Sequence, residues 1–327
     1  MQVNSYQPAR MVAILGTGGT IAGTAANPAD NVGYVAGQVP IGEFLGSVPG
    51  LVQAGDITSE QVAQIDSKDM SFAVWMDLAN RVAHFLARDD VQGVVITHGT
   101  DTLEETAFFL QSLLNPAKPV VLTAAMRPAS ALFPDGPQNV LDAVVVARHV
   151  GARGVVAVCA GVIHGAGDVQ KIHNYRLDAF SSGDAGPIGY VEEGKTRLLR
   201  NWPETQYSWS EAAIEKIANM AKDNTWPKVE IVMSYAGASG AVVNALMATG
   251  VEGVVVAGTG NGTVHSDRQL ALLAVRESGI RVMRSTRCAM GHVLAATNDP
   301  FPGAKGLTPV KARVALILDL LRAKVGP

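Results

Sequence analysis

Short apolar runs of strand length recur along the chain, at Met11–Leu15, Val94–Ile96, Val120–Thr123, Val155–Val162, Glu230–Ser234, Val254–Ala257 and Arg281–Met283. Most are continuous rather than alternating, and a continuous run belongs to a strand buried on both faces, which predicts a mostly parallel sheet covered by helices. The segments between them agree. Met70–Arg88, Glu104–Leu114 and Asp267–Ser278 carry helical spacing, with Val74, Met76–Leu78, Val82 and Phe85 on one stripe of the first. Glu104 and Glu105 stand near a helix start, where a carboxylate favours the positive end of the helix dipole. The expected class is therefore α/β. At 327 residues the length suggests two domains. The strand–helix rhythm breaks between Arg200 and Lys228, where Trp202-Pro203, Trp209 and Trp226-Pro227 surround a short helical pattern at Ser210–Lys222. We expect an N-terminal α/β domain over 1–200, a linker over 201–228 and a C-terminal α/β domain over 229–327.

Composition narrows the partners. A formal charge of −3 without a basic block argues against nucleic acid. The seven histidines form no metal-ligand pattern, so no metal is expected. Cys159 and Cys288 are far apart, and Cys159 lies within an apolar run, where a buried inert thiol is the ordinary outcome. No apolar run is long enough to span a membrane. The apolar stretch after Arg10 is too short for the core of a secretory signal. The chain reads as cytoplasmic, although a periplasmic protein whose signal had been removed would look the same.

The chemistry is concentrated in hydroxyl-rich turns that follow apolar runs. Gly16-Thr17-Gly18-Gly19-Thr20-Ile21-Ala22-Gly23 follows the first, and Thr97-His98-Gly99-Thr100-Asp101-Thr102 follows the second. A third, Gly258-Thr259-Gly260-Asn261-Gly262-Thr263, follows a later run. Strand ends of open α/β sheets are where such folds place ligands. Any single threonine is explained as a turn or helix-capping residue, but three such turns are harder to dismiss. The first two contain no Lys or Arg, which suits a neutral or zwitterionic ligand better than a phosphate. A threonine hydroxyl is a weak nucleophile and needs a nearby base or a stabilising charge. Asp101 supplies a carboxylate and Lys171 an amine whose proton affinity burial would lower and a carboxylate would raise. Backbone N–H groups of the glycine turns could hold a developing oxyanion. Ala26–Pro40, rich in Gly, Pro, Asn and Asp, reads as a long loop in which Tyr34 either closes over a ligand or pins the loop.

Other strings are decoys. Gly189–Thr196 matches the phosphate-loop pattern, but two glutamates sit in the cradle and no buried strand leads into it; a β-hairpin is expected. Gly16-x-Gly18 lacks the third glycine of a dinucleotide fingerprint, since position 21 is Ile21. No GxSxG nucleophile elbow is found.

These residues resemble the bacterial L-asparaginases and glutaminase-asparaginases, whose signatures are TGGTIAG and an HGTDTxEET-like block. They stand here as Thr17–Gly23 and His98–Thr106. The likeness continues through Ile65–Met70, Ala125–Pro128, Asp135–Pro137, Gly189-Tyr190 and Ala257–Gly262. The resemblance implies that L-asparagine is hydrolysed to L-aspartate and ammonia through a threonine acyl-enzyme, without metal or cofactor. It implies Thr20 as nucleophile, Thr100, Asp101 and Lys171 as a proton-transfer group, and Tyr34 as support for the nucleophile. Ser67, Lys68 and Asp101 fall where the substrate's α-carboxylate and α-amino groups are held. Asn261 matches a residue lent by a neighbouring subunit, so the resemblance implies a homotetramer built from intimate dimers. It further implies a larger N-terminal mixed sheet with a left-handed crossover and a smaller C-terminal parallel sheet.

Two positions depart from the common pattern. Lys68 stands where glutamine or glutamate is frequent, adding positive charge near the expected α-carboxylate or altering selectivity. Asn298 occupies the place of a frequent glutamate. The disulfide of some secreted relatives has no matching cysteines, which leans toward the cytoplasm. Competing readings are a glutaminase-asparaginase, the asparaginase-like subunit of a transfer-RNA-dependent amidotransferase, whose extra N-terminal domain is missing here, and a silent amino-acid sensor on the same scaffold. Retention of both threonines, Asp101 and Lys171 argues against the last.

Overall fold

The structure is a computed structural model that describes residues 10–204 and 209–326. Residues 1–9, at the head of the expected N-terminal domain, 205–208, within the expected linker, and 327 lie outside the described residues. The chain separates into two compact units, Met1–Ser182 with Gly186–Tyr207, and Gly183–Ala185 with Ser208–Pro327.

The strands of the first unit are β1 (Met11–Gly18), β2 (Ile57–Ile65), β3 (Val91–Thr97), β4 (Pro119–Thr123), β5 (Gly154–Cys159), β6 (Val162–Gly165), β7 (Gln170–Lys171), β8 (Phe180–Ser181), β9 (Gly189–Glu192) and β10 (Lys195–Leu198). Its helices are α1 (Ile41–Gly46), α2 (Phe72–Leu86), α3 (Leu103–Leu114) and α4 (Gly136–Arg148). Eight of the strands form one sheet in the order β10-β9-β6-β5-β4-β3-β1-β2, and β7 pairs with β8 separately. Pairing is parallel from β2 to β5 and antiparallel from β5 through β10, so the expected mixed sheet is present. The central strands are buried at every residue but Met11 and Gln92, as continuous apolar runs require. Val12, Ile14, Val95, Val121 and Val156 share a core with Ile41 and Phe44 of α1 and Val140 and Val144 of α4. In α2 the buried stripe centres on Trp75, Leu78, Ala79, Val82 and Phe85, while Val74 is only half-buried. Trp75 stacks on Phe109 of α3 with ring centroids 4.7 Å apart.

Two features of the main sheet differ from expectation, and Lys171, expected in a loop, lies on β7. The run Val155–Val162 is not one strand, because the chain reverses at Ala160-Gly161, whose φ angles are 49° and 74°. Cys159 then pairs with Val162 in an antiparallel hairpin. Two successive left-handed residues twist a two-residue turn in the same sense as its strands, so a tight reversal fits inside an apolar run. Strand β2 was not anticipated. It lies at the sheet edge with no fully buried residue, so it needs no continuous apolar run, and Thr58, Ser59, Glu60 and Gln61 disguise it.

The phosphate-loop string is the expected hairpin. Glu192 pairs with Lys195 and Val191 with Thr196, with the reversal at Glu193-Gly194.

In the second unit, β11 (Val229–Met233), β12 (Gly253–Gly258) and β13 (Arg281–Thr286) form a three-stranded parallel sheet. Its helices are α5 (Glu211–Lys222), α6 (Ala241–Met247), α7 (Ser266–Glu277) and α8 (Pro309–Val325). Val232, Val254, Val256, Leu272, Val275 and Phe301 form its core. Among the described residues no helix is long and apolar enough to cross a membrane.

Candidate active site

Strands β1 and β3 are parallel neighbours, with Gly16 opposite Thr97, so their hydroxyl-rich turns emerge at the same end of the sheet. The turns touch. The φ of Gly19 is 80°, a conformation that side chains rarely tolerate, and a Cβ there would collide with the Cα of Gly99. Thr17 donates its hydroxyl to the Thr97 carbonyl at 2.9 Å, which makes it a tie between the turns.

Thr20 opens a short 3-10 turn, Thr20–Ala22, and is buried. Its Oγ1 lies 2.6 Å from the Tyr34 Oη. The Tyr34 phenol thus ties its loop to the threonine hydroxyl. A Cβ on Gly23 would approach the Tyr34 ring to 2.8 Å, so that glycine makes room for the ring.

The second turn gathers the other groups. Lys171, on β7, donates from Nζ to Thr100 Oγ1 at 2.8 Å and to Asp101 Oδ1 at 2.6 Å. The Thr100 hydroxyl points toward Asp101 Oδ1 at 3.5 Å, a long contact. Thr100 is buried and the Lys171 side chain only 18% exposed, whereas the Asp101 carboxylate is 55% exposed and faces solvent. Ser67, buried just beyond β2, accepts the Asp101 N–H at 3.2 Å, and its carbonyl accepts the Thr102 hydroxyl at 2.8 Å. The ammonium of Lys68 is turned to Asp66 at 2.7 Å and Asp69 at 3.3 Å. These carboxylates hold its pKa above the ordinary lysine value and share its charge.

Sequence reasoning gave no role to the imidazole inside the second motif. His98 is fully buried, with Nδ1 2.7 Å from the Gly99 carbonyl and Nε2 3.0 Å from Thr106 Oγ1. Trp75 donates to the same Oγ1 at 2.9 Å. A carbonyl can only accept, so His98 carries its proton on Nδ1, and the Thr106 hydroxyl donates to Nε2. Burial pushes its pKa down to about 4, which keeps the ring neutral. The clue in the sequence was a histidine locked between a buried strand and a glycine. Cys159 is likewise buried, which pushes its thiol up to about 12 and leaves it inert.

Asn261 belongs to the second unit, in the turn between β12 and α7. Its Oδ1 accepts the Leu294 N–H at 2.7 Å and its Nδ2 donates to the Leu294 carbonyl at 3.1 Å. Asn298 is exposed beside Asp299, which is paired with Arg284. Among the described residues no group of three His, Cys, Asp or Glu side chains is placed to hold a metal ion.

Two touching turns, one with a hydroxyl held by a phenol and the other with a hydroxyl held by an amine, offer the groups needed to attack a carbonyl carbon and to move protons around it. A family model described as asparaginase, N-terminal, matches residues 11–204, and one described as glutaminase/asparaginase C-terminal domain matches residues 228–324. The chain belongs to the asparaginase family. It is 38% identical over 321 residues to a protein named glutaminase-asparaginase from Pseudomonas fluorescens biotype A, covering 96% of this chain and 87% of that protein. It is 36% identical to L-asparaginase 2 of Escherichia coli strain K12, covering 96% of this chain and 89% of that protein. Among solved asparaginase structures, that of a probable cytoplasmic L-asparaginase from Campylobacter jejuni superposes with a TM-score of 0.87 at 38% identity, covering 95% of both chains.

Proposed function

We propose that this chain hydrolyses the side-chain amide of L-asparagine to L-aspartate and ammonia, with weaker activity on L-glutamine. The observation that carries the reading is the pairing of a buried threonine hydroxyl with a phenol, on a turn that touches the turn of a second buried threonine bound by a lysine amine. Thr20 Oγ1 attacks the amide carbon. The C–N bond breaks as the nitrogen gains a proton, and an ester to Thr20 remains while ammonia leaves. Water then attacks the ester, its proton returns to Thr20 Oγ1, and aspartate departs. Tyr34 supports the nucleophile, and Thr100 with Lys171 and Asp101 transfers protons. Ser67, Asp101 and Lys68 hold the α-carboxylate and α-amino groups, and Asn261 is supplied by a neighbouring subunit of a homotetramer made of intimate dimers. In this reading residues 1–200 carry the catalytic groups, 201–228 link the domains, and the enzyme works in the cytoplasm.

The test is ammonia release from L-asparagine and L-glutamine side by side, with Thr20→Ala as control. The wild-type chain releases ammonia faster from asparagine, and the variant releases none. A fully active Thr20→Ala would overturn the mechanism, and an inactive, folded wild type would overturn the function.

A further inference from the structure

The Tyr34 loop is held at its two sides in different ways. On the side toward α1 its anchors are numerous. Gly37 N–H donates to the Gly19 carbonyl at 3.0 Å, and the N–H groups of Gln38 and Val39 both reach the Ala22 carbonyl, at 2.7 and 2.9 Å. Thr24 and Val35 pair across the base of the loop at 3.0 and 2.9 Å. Beyond that base the tip, residues 25–34, has its own turns. Asn27 accepts the Ala29 N–H, and Asp30 accepts those of Val32 and Gly33. The tip carries Val32 at 75% exposure, and among the described residues the side-chain oxygen of Asn31 is buried without a hydrogen-bond partner. A buried acceptor left unmade weakens the closed form of the tip, so the few bonds that hold it down decide its population.

Besides the Tyr34–Thr20 bond, the bonds that hold the tip come from the 126–135 loop, which follows β4. The hydroxyl oxygen of Ser130 accepts the Ala25 N–H at 2.8 Å, and the Leu132 N–H donates to the Pro28 carbonyl at 3.1 Å. The platform beneath them is stiff. The Asp135 carboxylate accepts the N–H groups of Met126 and Arg127, both at 2.9 Å, and the Arg127 guanidinium closes the loop on the Phe133 carbonyl at 3.1 Å. Ala131 N–H completes a turn to the Pro128 carbonyl at 2.9 Å. The tip is thus docked on an internally bonded loop of the same unit by one side-chain bond and one backbone bond.

We propose that Ser130 is a positioning residue that latches the loop closed and so keeps the Tyr34 phenol on Thr20. The inference rests on the reading of Thr20 as nucleophile and Tyr34 as its support. Ser130 acts through the Ala25 amide, and the pairing of Thr24 with Val35 carries the constraint to Tyr34 next in sequence. Only the side-chain half of the latch can be removed by substitution while leaving the backbone half intact.

The experiment compares Ser130→Ala with Ser130→Thr, which keeps a hydroxyl at the same carbon. Loss of one such bond shifts the closed–open balance about fivefold. Ser130→Ala is therefore expected to speed amide hydrogen exchange in segment 25–35 about fivefold without speeding it in α2, and to lower kcat/KM for asparagine by up to the same factor. Ser130→Thr restores both. In a Tyr34→Phe background the Ser130→Ala substitution adds little, because the group it positions is already gone. Wild-type exchange in Ser130→Ala would overturn the latch. Faster exchange with unchanged kcat/KM, or an undiminished loss in the Tyr34→Phe background, would overturn the positioning role. If the wild-type chain itself does not turn over asparagine, the failure lies with the proposed function, and the exchange measurement still tests the latch.

Discussion

At the scale of single residues, the two threonines are separated by their partners rather than by their own chemistry. Thr20 has a phenol and Thr100 an ammonium, and in the proposed mechanism this gives each hydroxyl a different task. Thr100→Val keeps the shape and removes the hydroxyl; steady-state ammonia release is expected to fall by about 10²–10⁴-fold, the usual contribution of an acid–base group. A loss smaller than tenfold would remove Thr100 from proton transfer. His98 makes a separate prediction about stability. An unfolded imidazole titrates near 6.5, while the buried ring does so at about 4. Between those values the unfolded chain takes up a proton that the folded chain refuses. Stability is therefore complete above pH 6.5, falls as the pH drops toward 4, and gains no further slope from this group below 4, a total of about 3 kcal/mol. Urea unfolding midpoints measured from pH 7 to pH 4 should show that decline, and His98→Gln should flatten it; an identical slope in the variant would assign the decline to other groups.

Among the elements, the turns decide most. The expectation of a single strand over Val155–Val162 fails at one place, where Ala160 takes a left-handed φ of 49°. A side chain in that region costs about 1–2 kcal/mol, and Ala160 is exposed, so nothing is lost by removing its methyl group. Ala160→Gly should raise the thermal midpoint, with a net gain of about 1 kcal/mol after the added backbone freedom of glycine. A lower midpoint would show that the turn geometry differs from the one described. Gly19 is the opposite case. Its left-handed φ and its contact with Gly99 leave no space for a Cβ, so Gly19→Ala must push the two catalytic turns apart. The expected result is a folded protein with little amidase activity, seen as normal far-ultraviolet circular dichroism beside lost ammonia release.

For the whole molecule, the proposed assembly draws the parts of one site from different copies. Thr20, Tyr34, Ser67, Lys68, Thr100, Asp101 and Lys171 share one unit, whereas Asn261 belongs to the other. In the proposed assembly Asn261 serves a neighbour, and this has a consequence in mixed oligomers. A subunit carrying Thr20→Ala still offers an intact Asn261, and a subunit carrying Asn261→Ala still offers an intact Thr20. Unfolding the two inactive variants together and refolding them at equal amounts should restore about a quarter of wild-type activity, since half of random dimers are mixed and each has one intact site. No recovery would mean that Asn261 serves its own chain, and an Asn261→Ala variant active by itself would mean that it serves no site.

The α/β class, most strand positions and the hairpin at Gly189–Thr196 were readable in the chain, because continuous apolar runs and glycine-containing turns report burial and local backbone geometry directly. Strand β2 was hidden, since an edge strand shows its faces partly to water and carries no unbroken apolar run. The threonines could be picked out as a set from their turns alone, but nothing local told Thr20 from Thr100. Lys171 stands 71 positions from Thr100, and Tyr34 stands 14 from Thr20. Ser130 stands 105 from Ala25. Hydrogen bonds form between groups that are close in space, and only the pairing of β1 with β3 and the packing of the two loops bring these groups within reach.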